Sequence, residues 1–326
     1  MSNIKNFNSK ISLAVTVFFF LSSAAVYFVK NKHYSIDNFL HKADSYFSNE
    51  NFTQSARYYR KLISMGFVNE NVYINISDSL IKLGDYKRAR EYLKEALKKQ
   101  PSSEIYYLLG YTYYAESQLS FVHQYSEESI KYLEKSIELD KKNKSSYKLI
   151  GQIYEQLKNF EYARIWYKKA LFENIENISE FYGFIAYTYF EESKWDDAIE
   201  YYKKAIEDNK NYISAYCSMG EIYRIKKDFT DAEKYYSQVI EINPDYVVPY
   251  YKIGNIYYEQ GNYQESINWY KKGLEKESNN NLINYYMGMS YKKLNIPEEA
   301  VKYLKTAAYC GNDNAVQELR TMIKTF

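Results

Sequence analysis

Cysteine, histidine, proline and a surplus of either charge are all scarce in these 326 residues, and each scarcity removes a class of explanation. Two cysteines, Cys217 and Cys310, cannot staple a small secreted fold, so both read as packing residues; a fold held by its own core is nonetheless compatible with an extracytoplasmic location. The three histidines, His33, His41 and His123, have no second His or Cys at ligand spacing, which predicts no zinc or iron site. The sequence contains no HExxH, G-x-S-x-G, GxxxxGK[ST] or GxGxxG, and its carboxylates sit beside lysines on what read as solvated helix faces. The expectation is a chain without catalytic residues, metal or cofactor. Lys plus Arg number 43 against 41 Asp plus Glu, with the signs interleaved as in Lys203 and Lys204 followed by Glu207 and Asp208. With no basic stripe to release counterions, nucleic-acid binding is not expected. The four prolines and the lack of any Pro/Gly/Ser-rich stretch leave no linker, so a single elongated domain is expected beyond the N-terminus.

What is present begins with a run of 19 uncharged residues, Ile11 to Val29, bracketed by Lys5 and Lys10 on one side and Lys30 and Lys32 on the other. At about 1.5 Å per helical residue it is just long enough to cross a hydrocarbon core of roughly 30 Å. It reads as a retained transmembrane anchor, following a short polar N-terminus (1–10) and preceding a linker (30–35). The alternative is a cleaved signal, because Ser22, Ser23, Ala24 and Ala25 resemble a cleavage site. The lysine count around the run favours a cytoplasmic N-terminus with the remainder on the far side; cleavage would instead yield a secreted or periplasmic chain.

Beyond the run, a small residue recurs at Ala43, Ser77, Gly110, Gly151, Ala186, Gly220, Gly254 and Gly288, with gaps of 34, 33, 41, 35, 34, 34 and 34 residues. A second series follows at Ser55, Ala89, Ser129, Ala163, Ala198, Ala232, Ser266 and Ala300. A fixed period near 34 predicts a helical solenoid in which each unit touches only its neighbours. Within one period, Ile213, Tyr216, Cys217, Met219, Gly220, Ile222 and Tyr223 have helical spacing, Lys227-Asp228 turns the chain, and Phe229, Ala232, Tyr236, Val239 and Ile240 form the apolar side of a second helix ended by Asn243-Pro244. The small residues are expected where the two backbones approach closely. The 41 tyrosines, beside many Lys, Asn and Ile, read first as coding bias and alternatively as selection for aromatic contacts.

These units resemble tetratricopeptide repeats: a small residue followed by x-x-Tyr, then aromatic-x-x-Ala, a further aromatic, Ala and Pro, best seen in GEIYRIKKDFTDAEKYYSQVIEINP and GNIYYEQGNYQESINWYKKGLEKES. The resemblance covers about 36–312 in eight units, 36–69, 70–102, 103–143, 144–178, 179–212, 213–246, 247–280 and 281–312, with 313–326 similar to the extra helix that caps such arrays. The terminal proline survives only at Pro101 and Pro244. The third unit is longer by seven residues, with AESQLSFVHQYSEES between Tyr114 and Ile130; both of its helices are expected to be longer, and the extension near 115–128 is either a tolerated elongation or a binding loop.

The fold the resemblance implies is all-α, a right-handed superhelical solenoid of about eight helical hairpins plus a capping helix, preceded by one transmembrane helix. It also implies a concave groove lined by the first helix of each hairpin. The groove candidates are Tyr107, Tyr111, Tyr114, Tyr187, Phe190, Glu221, Arg224, Tyr251, Asn255, Tyr258, Tyr285, Met289 and Lys292, with inter-repeat packing as the competing role for each tyrosine. Chaperone-binding relatives grip a terminal carboxylate with Lys, Asn and Arg on successive first helices; Leu40, Asp44, Asn75, Glu104 and Leu108 do not match that pattern, so carboxylate-clamp binding is not expected. The expected function is a membrane-tethered, non-catalytic scaffold for a protein or peptide partner. The alternative is a self-associating assembly factor of an envelope complex.

Overall fold

The computed structural model describes residues 35–324 other than 68, 121, 122, 174 and 175. The polar N-terminus 1–10, the apolar run 11–29 and residues 30–34 of the linker lie outside the described residues. Among the described residues there are seventeen helices and no strand. In chain order they are α1 (35–48), α2 (Phe52–Ser64), α3 (Glu70–Lys82), α4 (Tyr86–Lys99), α5 (Ser103–Ser120), α6 (His123–Leu139), α7 (Lys144–Gln156), α8 (Phe160–Phe172) and α9 (Ser179–Glu191). There follow α10 (Trp195–Asp208), α11 (Ile213–Ile225), α12 (Phe229–Ile242), α13 (Val248–Glu259), α14 (Tyr263–Lys276), α15 (Asn281–Lys293), α16 (Pro297–Tyr309) and α17 (Asp313–Lys324). None of these is long and apolar enough to cross a membrane.

The chain forms two compact units, one ending at Ile153 and one beginning at Tyr154, with the boundary inside α7. In the first, α2 to α6 pack in series and the odd-numbered helices α3 and α5 also touch. In the second, α8 to α17 pack in series, with further contacts between α9 and α11 and between α13 and α15. Each unit is therefore a stack of hairpins whose stability is shared between neighbours, because a two-helix hairpin alone leaves one apolar face in water.

The turn inside each of the seven hairpins whose turn is described is set by local chemistry. Gly84 and Gly261 have φ of +74° and +78°, and Glu50, Lys158, Ser193, Lys227 and Asn295 occupy the same left-handed region at φ between 56° and 61°. That residue ends the first helix: Lys227 N–H donates to Arg224 C=O (2.9 Å) and Asp228 N–H to Tyr223 C=O (2.8 Å), satisfying carbonyls the helix would leave open. In five of these hairpins the next residue caps the second helix; Lys194 and Ile296 stand at that place without a side-chain cap. Asn51, Asp85, Asn159, Asp228 and Asn262 each accept a hydrogen bond from the backbone N–H three positions on.

The third hairpin shows where its extra residues went. Its helices have 18 and 17 residues, against 12 to 14 for α7 to α16 and for α2 to α4, so both are longer as expected. The extended part of α5 is tied back: Glu116 pairs with Arg90 of α4 at 2.5 Å, and the Arg90 guanidinium lies 4.6 Å over the Tyr113 ring. Phe121 and Val122 at the centre of the extension lie outside the described residues.

The role of the small residues needs a correction. A Cβ added at Gly220 would stand 2.8 Å from the Tyr236 ring, and at Gly254 only 2.3 Å from that of Tyr270. At these two places the missing side chain makes room for a tyrosine ring of the second helix, not for its backbone. At Gly110 and Gly288 the nearest atoms are the Leu133 and Leu304 side chains at 2.6 and 2.7 Å, with the Ser129 and Ala300 carbonyl oxygens at 3.1 Å; there the close backbone approach is real. The corresponding Ser55 and Ser129 hydroxyls donate to Ala43 C=O (3.2 Å) and Gly110 C=O (2.7 Å). Each ring or leucine so enclosed contributes about 1.5–3 kcal/mol of burial. Cys217 and Cys310 are thiols, both partly buried, and burial pushes the Cys217 thiol up to about 11.

Candidate protein-binding surface

The candidate surface is assembled where second-helix tyrosines push through a hairpin to reach its first helix. Tyr59, Tyr167, Tyr236 and Tyr270 are each fully enclosed, and each stands four residues after a small residue of the second series. Their hydroxyls nevertheless emerge beside polar groups. Tyr59 donates to Asp44 at 2.5 Å and accepts from Asn75 at 3.0 Å; Tyr167 donates to Glu155 at 2.9 Å, Tyr236 to Glu221 at 3.0 Å, and Tyr270 to the side-chain amide oxygen of Asn255 at 2.6 Å. Burial raises the pKa of Tyr59, Tyr236 and Tyr270, so all three act as neutral donors. The core and the first-helix face are thus joined by hydrogen bonds.

In the first unit, Tyr107, Tyr111 and Tyr114 run along α5 with successive ring centroids 6.3 Å apart. All three are half-buried, Tyr111 also packs on the cluster around Ile76 and Leu80, and burial raises the Tyr107 hydroxyl. One turn of structure earlier, Asp78 of α3 is itself partly withdrawn from water, which raises its carboxyl against the opposing effect of Lys82.

In the second unit the predicted residues divide by role. Tyr187 of α9 is 43% exposed, and its hydroxyl, raised by burial, hydrogen-bonds Glu191. Phe190 does not belong to the face: its ring meets Trp195 edge-on at 5.2 Å and closes the α9–α10 hairpin. Glu221 and Arg224 of α11 join Lys252 and Glu259 of α13 in one ion-pair network. Glu221 is held by Arg224 at 2.6 Å and Lys252 at 2.9 Å, and Arg224 reaches Glu259 at 2.6 Å. Burial raises the Glu221 carboxyl, but the two cations outweigh it and hold the group down at about 2.

Tyr251 packs on Ile267, Tyr270, Ile283 and Met287, while Tyr258 makes edge contacts with Tyr263 (5.3 Å) and Tyr286 (6.3 Å). Tyr285 and Met289 lean on the cluster of Leu304, Ala307 and Ala315, and Lys292 pairs with Glu318 of α17 at 2.6 Å. The structure therefore brings Glu221, Arg224 and Asn255 into one polar stretch flanked by Tyr251 and Tyr258. The residues that sequence reasoning missed there are Lys252, Glu259 and Tyr236. The last carried a signal, the tyrosine four places beyond a small residue; the other two adjoin named candidates on α13.

At the start of the second unit, Glu155 is pushed up to about 7, chiefly by burial, with Glu191 adding to the rise and the Tyr167 hydroxyl opposing it. The arrangement offers aromatic edges, phenol hydroxyls and internally paired ions. Among the described residues, no three His, Cys, Asp or Glu side chains converge as a metal-ligand set.

Comparison with known proteins gives a consistent picture of the fold. Sequence models described as tetratricopeptide repeat match residues 74–120, 145–171 and 211–276, and one described as TPR repeat matches 186–224. Among characterised proteins, the chain is 34% identical over 94 residues to the Sol locus transcriptional repressor of Clostridium acetobutylicum, covering 28% of this chain and 26% of that one. The chain thus spans about a quarter of that relative's length. Among solved structures, it is similar to yeast Tom70 (TM-score 0.60, 20% identity, 83% of this chain and 58% of that one). It also resembles a tetratricopeptide repeat protein from Parabacteroides merdae (TM-score 0.53, 18% identity, 77% and 96%) and the APC/C hetero-tetramer Cut9–Hcn1 (TM-score 0.51, 16% identity, 86% and 55%). At these identities the structural likeness speaks to fold alone. Over residues 74–120, 145–171 and 186–276 the chain carries tetratricopeptide repeats, and the described helices on either side of them stack as hairpins in the same way.

Proposed function

We propose that this chain is a non-catalytic, membrane-tethered scaffold whose first-helix faces hold a protein or peptide partner. The observation that carries the reading is the first-helix face itself. Tyr107, Tyr111 and Tyr114 line α5 as half-buried rings, and on α13 the half-buried Tyr258 lies one turn from the Asn255 amide, which the buried Tyr270 hydroxyl fixes from below, a combination suited to a polypeptide and to neither nucleic acid nor a terminal-carboxylate clamp. Membrane attachment rests on the uncharged run 11–29 and its flanking lysines, with the N-terminus cytoplasmic and the repeats extracytoplasmic. Cleavage after Ala25 would give a secreted or periplasmic chain instead.

End-to-end self-association is the weaker reading. α17 covers the apolar face of the preceding hairpin with Ala315 and Met322 and presents Asp313, Asn314, Gln317 and Arg320 to solvent. A photocrosslinking residue placed at Tyr111 or Tyr258 of the intact chain in its own membranes tests the scaffold. A discrete, saturable adduct is expected at those positions and not at exposed Phe172; equal labelling at all three would refute groove binding. Mass measurement of the membrane-extracted chain decides between anchor and cleaved signal.

A further inference from the structure

The polar stretch between α11 and α13 is built like an anion site whose occupant is already in place. Three donors converge on one carboxylate: the Arg224 guanidinium on Glu221 Oε1 (2.6 Å), and the Lys252 ammonium (2.9 Å) and Tyr236 hydroxyl (3.0 Å) on Oε2. A guanidinium, an ammonium and a buried phenol are a donor set for a carboxylate, and charge-assisted bonds of this length are the strong ones. The Arg224 and Lys252 side chains remain 26% and 27% exposed, so an incoming ligand has a path to both. Arg224 also spends a second N–H on Glu259, leaving the positive charge of the site matched from within.

We propose that Glu221 is the built-in occupant of this anion site and a specificity-determining residue of the face: it makes this stretch reject acidic segments and free carboxylates. The proposal deepens the scaffold reading by specifying which polypeptide segments the face accepts here, those without a negative group at this position. The physical basis is competition within one molecule. Glu221 is tethered to the turn of helix that carries Arg224, so its effective concentration at the site is of millimolar order or above, and a diffusing carboxylate at micromolar concentration cannot displace it. Displacement would also leave Glu221 half-buried with only the Tyr236 hydroxyl as partner, an uncompensated charge next to the ligand's own.

The test uses the full chain in detergent micelles and a fluorescein-labelled tetraglutamate peptide with a free C-terminus, followed by anisotropy. The unmodified chain is expected to show no saturable binding. Glu221→Gln, isosteric and neutral, is expected to bind at least about tenfold tighter, with the gain shrinking as salt rises from about 50 to about 300 mM and vanishing in the Glu221→Gln, Lys252→Gln double variant. Glu221→Asp, which keeps the charge but withdraws it by one methylene, gives an intermediate gain and covers the case in which the amide variant folds poorly. Glu259→Gln removes the same formal charge nearby and should change affinity by less than about twofold.

Three results would overturn the proposal: no gain in either Glu221 variant, an equal gain in Glu259→Gln, or peptide binding by the unmodified chain that Lys252→Gln abolishes, which would show that Glu221 yields to an acidic partner. Because the probe is an added anion, this outcome is independent of whether crosslinking at Tyr111 or Tyr258 captures a protein.

Discussion

Replacing Gly254 by alanine puts the tightest contact in the second unit under load. The new methyl would stand 2.3 Å from Cε1 and 2.6 Å from Cδ1 of Tyr270, a ring with no exposed surface. Three effects compete. Alanine favours the helix over glycine by about 1 kcal/mol. Overpacking of an enclosed ring costs about 1–3 kcal/mol. Pushing the ring outward also strains or breaks the 2.6 Å bond from the Tyr270 hydroxyl to Asn255, worth about 1 kcal/mol. The sum is a net loss of about 1–3 kcal/mol.

The chain supplies its own control, because at the same places in other hairpins Ala43 shares a core cluster with buried Tyr59, and Ala186 one with buried Tyr202. An alanine beneath a tyrosine is therefore possible when the helices are spaced for it. Urea unfolding of the full chain in micelles, read by circular dichroism, gives the difference, and amide exchange across α13 and α14 locates it, since a repeat array need not unfold in one step. If Gly254→Ala proves as stable as the parent or more so, with α13 protected as before, the hairpin relaxes without cost to the spacing of the Ala186–Tyr202 pair. Glycine at 254 would then not be what admits the Tyr270 ring.

Other perturbations separate the remaining forces. Arg164 of α8, almost fully buried, reaches Thr188 at 3.2 Å and Glu192 at 2.6 Å and lies 4.4 Å over the Tyr189 ring; Arg164→Met should cost about 2–3 kcal/mol in urea unfolding, against under about 1 for Thr188→Val. Lys227 holds φ at +61° in a hairpin turn where another hairpin has Gly261, so Lys227→Gly should raise stability by about 0.5–1 kcal/mol; a loss would mean that the side chain itself holds the turn. Glu155 and Glu221 should give opposite pH dependence. The Glu155 carboxyl is raised from 4.5 to about 7 on folding, so its contribution is complete below pH 4.5 and is lost as pH climbs through 7; Glu155→Gln should flatten that loss in a pH series of unfolding midpoints. The Glu221 carboxyl is lowered from 4.5 to about 2, so its contribution is complete above pH 4.5 and disappears on acidification toward 2; discounted for solvent screening it amounts to about 1–2 kcal/mol, which Glu221→Gln should remove at neutral pH.

Most of the helical framework could be read from the sequence because it follows from short-range rules. The 34-residue spacing, the apolar series of Ile213 to Ile240 and the Asp228 turn all act within one hairpin, and α11 and α12 begin and end within a residue of where the pattern puts them. The doubled lengthening of α5 and α6 followed from counting turns. Side-chain destinations were less legible. Phe190 and Tyr187 lie three apart on one helix, yet one closes its own hairpin and the other stays in water, a difference decided by Trp195 on the next helix. Of the three partners of Glu221, Arg224 lies at helical spacing on α11, but Tyr236 and Lys252 come from α12 and α13, 15 and 31 residues away, at a distance no helical period encodes.

The enclosed tyrosines connect these two levels. A hydroxyl at the end of a fully packed ring cannot move unless the hairpin moves, so Asp44, Glu155, Glu221 and Asn255 are held by the core and not by solvent. Replacing Tyr236 by phenylalanine makes the link testable. The ring still fills the hollow at Gly220, so stability should fall by only about 1 kcal/mol. Glu221, however, loses its one anchor from below and depends on Arg224 and Lys252 alone, which are both open to water. Its carboxyl should then titrate nearer the ordinary value, and the tetraglutamate probe should gain affinity in Tyr236→Phe though no charge has been removed. If the Glu221 titration and the probe stay unchanged while stability drops, the tyrosine is packing alone, and the face owes its order to its own ion pairs.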